Sequence, residues 1–398
     1  MNRRVVRGVS ELYTPFDRVE DAAFVVDDGR YAWVGPAAAL PADYAGWPTI
    51  DLGGSAVIPG LVDSHTHLVW AGSRVDEYVR RSAGVTYQEI AAEGGGILAT
   101  VEATRAMSDA GLMMLARRRA AAFQRGGVTA LEVKSGYGLT TEHELRMLQA
   151  ARRLGEDGPL RVTTTLLAHL PDPAEDRERF LDRFVSETLP EAARQRLADA
   201  VDVFIEDGAF TLAEGRRVLE AALELGLPVK AHAEQFSNSG AAKLVAELGG
   251  LSADHLERAT PEDLEALAAA GSVATLLPLA ALLLRAPLPQ AAQLRASGVK
   301  VAIASDHNPG SSPLFGLLPA LQLAGVATGL TVHETLVAGT ANAADALGRP
   351  DWGRVQAGAA ADYLVVNGAE ALLPLYTWGQ PSIKEMVIGG QTVWRAEG

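Results

Sequence analysis

The sequence contains no cysteine among its 398 residues. This excludes disulfide bonds, thiolate metal ligands and a cysteine nucleophile. Any metal ion that the protein binds must therefore be held by His, Asp, Glu or water.

Long hydrophobic runs are also missing. The longest apolar stretch, "VATLLPLAALLLRAPL", is too short to span a bilayer and is interrupted by Pro278 and Arg285. The N-terminal segment "MNRRVVRGVSELYTPFD" has basic residues but no apolar core behind them, unlike a secretory signal. We therefore expect a cytoplasmic protein with no membrane partner.

Positive charge is in deficit. The chain has 35 Lys and Arg against 49 Asp and Glu, a formal net charge of -14. Because such a chain repels phosphates, we expect no nucleic-acid partner. Hydrophobic residues make up 48% and charged residues 21%, as is ordinary for a globular protein with a sizeable core. The length fits one large barrel or two to three smaller domains.

The two ends of the chain share short strand-like runs. Asp28-Gly29 is a strong hairpin signal between two such runs near the N-terminus. Near the C-terminus, "ADYLVVNG" and "IKEMVIGGQTVWR" read as strands broken by glycine. Neither end is large enough for a core of its own. Residues 1–58 and 346–398 are therefore predicted to form one composite small β-sandwich domain.

The middle of the chain, residues 59–345, alternates β-rich runs with long helical patterns. The runs are "SAVIPGLVDSHTH", "VTALEVKSGYG", "RVTTTLLAH", "VDVFIED", "LPVKAHAE", "LSADHLE", "SVATLLP" and "KVAIASDHN". Capping signals mark helix starts at Thr141 with Glu144, Thr211 with Glu214, Thr260 with Pro261 and Thr331 with Glu334. Eight strand–helix units predict an α/β fold with a closed (β/α)8 TIM barrel.

Histidines cluster at the ends of these runs. Six of the 8 histidines lie there, namely His65, His67, His169, His232, His255 and His307. The carboxyl ends of parallel strands open onto one face of a barrel, so these side chains are expected to meet. Two imidazoles on one strand face, a third from another strand and a carboxylate from a fourth suit Zn or Fe. The alternative, a set of purely structural histidines, fits an isolated histidine better than this group.

Several loops on the same face carry further candidates. Arg74 is either a surface charge or the partner of a substrate anion. Tyr137, between two glycines in "KSGYGL", is either aimed by a tight turn or an ordinary loop tyrosine. The turn "DHNPGSSP", residues 306–313, has amides and Ser311 suited to cradle a carboxylate. Gly94–Gly96 form either a flexible turn or a lid.

These motifs together resemble a known family. The pattern of Asp63, His65 and His67 after a strand, followed by His232, His255 and Asp306, is similar to the amidohydrolase superfamily over essentially the whole chain. Within it, "HTHLVWAGSRVDEY", "GGGI" with "TVEATR", "EVKSGYGL", "KAHAEQFS" and "SDHNPGS" resemble the imidazolonepropionase family. The resemblance implies hydrolysis of the cyclic amide of 4-imidazolone-5-propanoate to N-formimidoyl-L-glutamate, in histidine degradation. A metal-bound hydroxide is then the group that attacks the ring carbonyl.

The resemblance also implies roles for individual residues. One divalent or trivalent ion, Zn or Fe, is implied at His65, His67, His232 and Asp306. Contacts to a small-molecule substrate with a carboxylate, or to its product, are implied for Arg74, Tyr137, His169, Gln235, Asn308, Gly310 and Ser311. His255 and Asp306 are the implied catalytic residues, and a homodimer is the expected assembly.

One position departs from the pattern of related cyclic deaminases, which have Glu three residues after the strand-five histidine. Gln235 occupies that position here, and Glu234 is expected to point to the opposite strand face. An amide cannot act as a general base at neutral pH. Asp306 assisted by His255 is therefore the expected proton shuttle, with a solvent chain as the alternative.

Two other classes of protein compete with this interpretation. A binuclear amidohydrolase usually carries a bridging carboxylated lysine at the end of the fourth strand, but "VDVFIED" has none, and Lys134 and Lys230 lie in the second and fifth runs. This favours one metal ion. A degenerate barrel that serves as a scaffold typically loses metal ligands, and none is missing here.

Overall fold

The computed structural model describes residues 3–86, 89–90, 93–379 and 382–396. Its centre is an eight-stranded sheet in which every neighbouring pair of strands is parallel. The strands are β5 (Leu61–Asp63), β6 (Val128–Lys134), β7 (Arg161–Ala168), β8 (Ala200–Phe204), β9 (Val229–Ala233), β10 (Ser252–His255), β11 (Val273–Leu276) and β12 (Lys300–Ile303). Each overlaps one of the eight predicted runs.

The first and last strands meet just beyond their carboxyl ends. The backbone N–H of Asp306 donates to the carbonyl of His65 at 3.0 Å, and that of His67 donates to His307 at 2.9 Å. A parallel bridge between Thr66 and His307 lies between these two bonds. The sheet therefore closes into the predicted barrel, and the closure holds the first metal-ligand candidates against the last.

Strand β6 shows how the barrel is packed. All seven of its residues are buried, and successive side chains point to opposite faces. Leu131 and Val133 belong to the main hydrophobic core, and burying each contributes about 1.5–3 kcal/mol. Glu132 and Lys134 point the other way, to the barrel interior, where they contact carboxylates and a lysine of other strands. The barrel is thus apolar toward its helices and charged inside.

Helices surround the barrel and follow its strands. Those within the described residues are α1 (Val75–Ser82), α2 (Ile97–Ala106), α3 (Asp109–Arg125), α4 (Thr141–Asp157), α5 (Arg177–Arg183), α6 (Leu189–Arg194), α7 (Leu212–Glu224), α8 (Ala241–Glu247), α9 (Pro261–Ala270), α10 (Pro278–Leu284), α11 (Ala291–Ser297), α12 (Leu318–Thr328), α13 (Val332–Ala338), α14 (Ala341–Asp345) and α15 (Leu373–Tyr376). None of these described helices has the length and apolar character needed to cross a membrane.

Three of the four predicted helix starts have the expected caps. Thr211, Thr260 and Thr331 each accept a hydrogen bond from the third helical N–H in a capping box. The fourth prediction is off by one residue. The cap of α4 is Thr140, which accepts from His143, and Thr141 is already helical. The carboxylate of Glu144 does not complete a capping box, because it binds the preceding loop instead.

Strands from both chain ends form a separate mixed sheet of seven strands. Its order is β15 (Gln391–Arg395), β14 (Ile383–Ile388), β13 (Tyr363–Val366), β4 (Thr49–Pro59), β1 (Arg4–Tyr13), β2 (Arg18–Asp27) and β3 (Arg30–Pro36). The sheet curls, so that Tyr31 of β3 faces Tyr363 of β13 with ring centroids 6.5 Å apart. Two facing layers then enclose a core that includes Phe24 and Val57. The small β domain predicted from the two termini is confirmed.

Candidate active site

A pocket of about 70 Å³ opens among the loops that follow the barrel strands. Its lining includes most of the predicted site residues. They are His67, Arg74, Tyr137, His169, His232, Gln235, His255, Asp306, Asn308 and Ser311. His65 lies directly beneath, fully buried. Residues spread from position 65 to position 311 therefore meet at the carboxyl face of the barrel.

Three imidazoles form the base of the pocket. One ring nitrogen from each of His65, His67 and His232 lies within 4.8 Å of the others. The Oδ1 atom of Asp306 lies 3.5 Å from Nε2 of His65 and 3.6 Å from Nε2 of His67. Nε2 of His65 is buried without a hydrogen-bond partner among the described residues, as a metal-binding nitrogen would be. The donor set of three imidazoles and one carboxylate fits a divalent ion.

The protonation of these imidazoles suits metal binding. Burial lowers the pKa of His65 and of His67 well below the ordinary range, which keeps both rings neutral. Neutral imidazole is the form that binds a metal ion. Burial also raises the pKa of Asp306 to about 7.

Two carboxylates behind the imidazoles set the orientation of the rings. Asp254 contacts Nδ1 of His65 at 2.7 Å, and Asp202 contacts Nδ1 of His232 at 3.1 Å. Such contacts direct the opposite nitrogen, Nε2, toward the centre. Neither Asp202 nor Asp254 is among the site residues predicted from the sequence. A signal was present, because a lone Asp inside an apolar strand such as "VDVFIED" must be paired if it is buried.

A buried ionic network lies below these carboxylates. Nζ of Lys134 lies 2.6 Å from Asp202, 2.9 Å from Glu132 and 3.6 Å from Asp254. Nζ of Lys230 lies 3.1 Å from Glu132 and 3.5 Å from Asp254. Burial alone would lower the pKa of Lys134, but Asp202 and the other carboxylates raise it above its ordinary value. Lys134 thus carries a proton and joins the two carboxylates that orient the imidazoles.

His255 lies beside the centre on a strained backbone. Its φ is 91°, and Leu256 and Asp306 also have positive φ values, of 69° and 52°. Non-glycine residues in this region cost of order 1–3 kcal/mol each and cluster at functional sites. Nδ1 of His255 contacts Glu257 at 3.3 Å. Burial disfavours the charged ring, but Glu257 outweighs it and raises the pKa of His255.

Arg74 is buried at the edge of the pocket rather than exposed. Its Nε and Nη2 atoms donate to the carboxylate of Glu77 at 2.7 and 2.6 Å. The other Glu77 oxygen accepts the N–H of Gly96 at 2.8 Å. Glu77, which the sequence analysis did not single out, thus links Arg74 to the Gly94–Gly96 segment. Residues 91 and 92, just before that segment, lie outside the described residues, and the lid stays a prediction.

The loop that carries Tyr137 is held by a buried carboxylate. Glu144 accepts the N–H groups of Gly136, Gly138 and Leu139 at 2.7–2.8 Å. Burial nevertheless raises the pKa of Glu144. The Tyr137 ring lies 5.3 Å from His169 and 5.8 Å from His67, centroid to centroid. The loop therefore aims the phenol at the pocket, as one of the two interpretations of "KSGYGL" predicts.

The turn after β12 is closed by hydrogen bonds of its own. The N–H groups of Gly310 and Ser311 both donate to Oδ1 of Asn308 at 2.8 Å. These amides are engaged within the turn in this structure, and a role for them in cradling a substrate carboxylate stays a prediction. Gly310 packs against Arg74: a Cβ built there would lie 2.5 Å from Nη1 of that residue. Asn308 and Ser311 keep their places in the pocket lining.

Glu234 and Gln235 separate as expected. Glu234 has a φ of 56°, and its carboxylate accepts the N–H groups of Ser239 and Ala242 at 2.5 and 3.0 Å. It therefore points to the start of α8, away from the pocket. Gln235 lines the pocket, so an amide side chain faces it.

Comparisons with known proteins agree with this geometry. The model of the amidohydrolase family matches residues 56–393. An imidazolonepropionase from Deinococcus radiodurans is 45% identical over 98% of this chain and 99% of its own length. One from Cupriavidus pinatubonensis is 49% identical over 88% of this chain and 84% of its own.

Solved structures share the fold at lower identity. A 5-methylcytosine deaminase from Klebsiella pneumoniae aligns with a TM-score of 0.76 and 18% identity, over 99% of this chain and 98% of its own. A zinc-bound adenosine deaminase from Xanthomonas campestris aligns with a TM-score of 0.69 and 19% identity, over 98% and 92%. The fold, the centre and the close relatives place the chain in the amidohydrolase family and, within it, among the imidazolonepropionases.

Proposed function

We propose that the protein hydrolyses the cyclic amide of 4-imidazolone-5-propanoate to N-formimidoyl-L-glutamate, a step in histidine degradation. The observation that carries the proposal is the convergence of three imidazoles, a carboxylate and a buried arginine in one small pocket. The close relatives named imidazolonepropionase support it over nearly the full chain length.

One metal ion, Zn or Fe, would be held by His65, His67, His232 and Asp306. When bound, such an ion polarises the ring carbonyl and activates a water molecule. A second ion bridged by a carboxylated lysine is disfavoured. The candidate lysines Lys134 and Lys230 are fully buried, and their amines are paired with carboxylates inside the barrel.

Asp306 would move the proton, and His255 would assist it. One oxygen of Asp306 faces the imidazoles, while the other lies 3.5 Å from the hydroxyl of Ser311, toward the pocket. That second oxygen is placed to accept the proton of the attacking water. His255, oriented by Glu257, is placed to stabilise the developing oxyanion. The proton on Asp306 can then pass to the leaving ring nitrogen.

Arg74 would bind the propionate of the substrate. It is buried beside the pocket, and Glu77 holds its guanidinium through Nε and Nη2. Tyr137, His169 and Gln235 line the wall and would orient the ring by hydrogen bonds. The amide of Gln235 can donate and accept, but it cannot take up a proton.

A direct assay tests the proposal. The purified protein is incubated with 4-imidazolone-5-propanoate, and loss of the substrate's ultraviolet absorbance is followed while bound metal is measured. We expect turnover and about one metal ion per chain. Two ions per chain would favour the binuclear class. The absence of both bound metal and turnover would favour a scaffold protein. His65→Ala should lose metal and turnover together, whereas His143→Ala, on α4 outside the pocket, should lose neither.

We also propose a cytoplasmic homodimer with no nucleic-acid or membrane partner. The negative net charge supports the absence of a nucleic-acid partner. Exposed apolar side chains support self-association, among them Val326, Tyr376 and Trp378, which are 77%, 81% and 56% exposed. Light scattering should give twice the mass of one chain, and a monomer would contradict the assembly.

A further inference from the structure

A second cavity adjoins the active-site pocket. It has a volume of about 470 Å³ and shares Gln235, Phe236 and Leu284 with that pocket. Its other walls come from the end of α1 and the residues after it, from the segment after α10, and from Arg258 after β10. All of these lie on the carboxyl face of the barrel. The cavity therefore forms an outer chamber next to the inner pocket.

The charge of this chamber is opposite to that of the whole molecule. Arg81, Arg258 and Arg285 line it, and among the described lining residues there is no Asp or Glu. The chain as a whole has a formal net charge of -14. Cations that lie close together repel one another, and an anion placed among them relieves that repulsion.

Each of these arginines is held in place through its side chain or its backbone. Nη2 of Arg81 donates to the carbonyl of Gly310 at 2.8 Å. The N–H of Arg258 donates to Glu234 at 2.7 Å, and Arg285 ends α10 with a φ of 56°. The guanidinium groups of Arg258 and Arg285 have no carboxylate within 4.0 Å in the part of the chain that the structure describes. Their charge is therefore available to a ligand.

In the inner pocket, the positive charge of Arg74 is paired with a carboxylate. The carboxylate of Glu77 forms two short bonds to that guanidinium and offsets part of its charge. A carboxylate that approaches this face of the acidic protein is attracted by the outer arginines as well as by the inner pocket. Such attraction raises the local concentration of an anion at the opening.

We propose that the chamber lined by Arg81, Arg258 and Arg285 is an outer carboxylate-binding site. It captures the propionate of the substrate before the ring reaches the inner pocket. Its ligand class rests on the proposed function, since that substrate carries one carboxylate. The product carries two, and it leaves past the same cations.

The double substitution Arg258→Gln/Arg285→Gln tests the proposal in the metal-loaded enzyme. At low salt, we expect kcat/KM to fall roughly three- to tenfold, with the loss in KM. The difference should vanish near 1 M salt, where the screening length is about 3 Å. The matched control is Arg118→Gln/Arg153→Gln, two exposed arginines on α3 and α4 with the same charge change. If the test variant keeps the parent's kcat/KM and salt dependence, the outer site is refuted.

A binding measurement separates this inference from the proposed reaction. Glutarate is titrated by calorimetry into the parent, the test variant and the control, with neutral glutaramide as the reference ligand. Weaker glutarate binding in the test variant alone supports the outer site, even if the imidazolone is not turned over. Turnover with glutarate affinity and salt dependence equal to the parent's would refute the outer site and leave the reaction intact.

Discussion

Gly310 is required by the guanidinium of Arg74 rather than by its own backbone angles. A methyl group at this position would lie 2.5 Å from Nη1 and 2.9 Å from Cζ of Arg74. Arg74 is also held by Glu77, so it cannot retreat without breaking an ion pair. Gly310 and Arg74 are far apart in sequence but in contact, and each therefore constrains the other at this edge of the pocket.

We predict that Gly310→Ala raises KM about tenfold with a smaller effect on kcat. The reason is that displacing Arg74 weakens one charge-assisted hydrogen bond to the substrate carboxylate, worth roughly 1.5–3 kcal/mol. Steady-state kinetics and a thermal melt measure the effect. Gly46→Ala is the control, because a Cβ there meets nothing within 4 Å. An unchanged KM in Gly310→Ala would remove Arg74 from substrate binding.

Gln235 and His255 should differ sharply when each is replaced. Gln235→Ala should lower the rate by about one to two decades, equivalent to roughly 1.4–2.8 kcal/mol, because only an orienting hydrogen bond is lost. The acidic limb of its pH–rate profile should survive, since an amide does not titrate there. His255→Asn should be far more damaging while metal is retained. An inactive Gln235→Ala beside an active His255→Asn would reverse the two roles.

Single residues show how far the sequence alone can lead. A parallel barrel brings the ends of its strands together, so residues at those ends could be predicted as site residues. They are His65, His67, His232, His255 and Asp306. The sequence did not predict the roles of Glu77, Asp202 and Asp254, because each role depends on which side chain the residue faces. Which side chains face each other is set by the closure of the barrel and the path of its loops. The position of a residue at a strand end does not determine this.

At the scale of elements, the charged inner faces of β6, β8, β9 and β10 form one scaffold. Lys134 of β6 contacts Asp202 of β8 and Asp254 of β10, and Lys230 of β9 contacts Glu132 and Asp254. Breaking a buried ion pair from one side leaves uncompensated charge and costs about 3–5 kcal/mol. Asp254 and Asp202 of this network contact the imidazoles of His65 and His232, so we expect stability and metal affinity to be coupled through these strands.

We predict that Lys134→Met lowers metal affinity about 10- to 100-fold. Without the lysine, Asp202 and Asp254 repel each other, and the imidazoles of His232 and His65 lose their fixed orientation. Competition with a chromogenic chelator measures the affinity, and circular dichroism checks that the barrel is folded. Lys243→Met is the control, since that lysine is 55% exposed and, among the described residues, its one ion pair is with Asp263. Equal affinity in Lys134→Met and Lys243→Met would contradict the coupling.

Element boundaries were harder to predict than element types. The run "SAVIPGLVDSHTH" reads as one strand, but the chain leaves β4 at Pro59 and begins β5 at Leu61. Gly60 lies between them because a side chain there would overlap that of Thr129. The start of α4 was misplaced by one residue because Glu144, which mimics a capping partner in sequence, anchors the Tyr137 loop instead.

At the scale of the whole molecule, side-chain contacts as well as the polypeptide chain join the small domain to the barrel. Arg161, at the start of β7, binds Asp362 through two hydrogen bonds of 2.5 and 3.0 Å. Asp362 immediately precedes β13 of the small domain. We propose that the boundaries at residues 58/59 and 345/346 separate two domains that unfold together.

Chelation should therefore lower the melting temperature of the whole chain in one transition. A metal ion present at a thousand times its dissociation constant stabilises the folded state by about 4 kcal/mol, so its removal should shift the melt by several degrees. Thermal melts of the loaded, chelated and reloaded protein measure the shift. His65→Ala is the matched control, because a chain without the centre should not respond to the chelator. A loaded and a chelated parent that melt together would mean that no metal ion is bound at the base of the pocket. A second, separate transition would instead show that the Arg161–Asp362 contact does not couple the two domains.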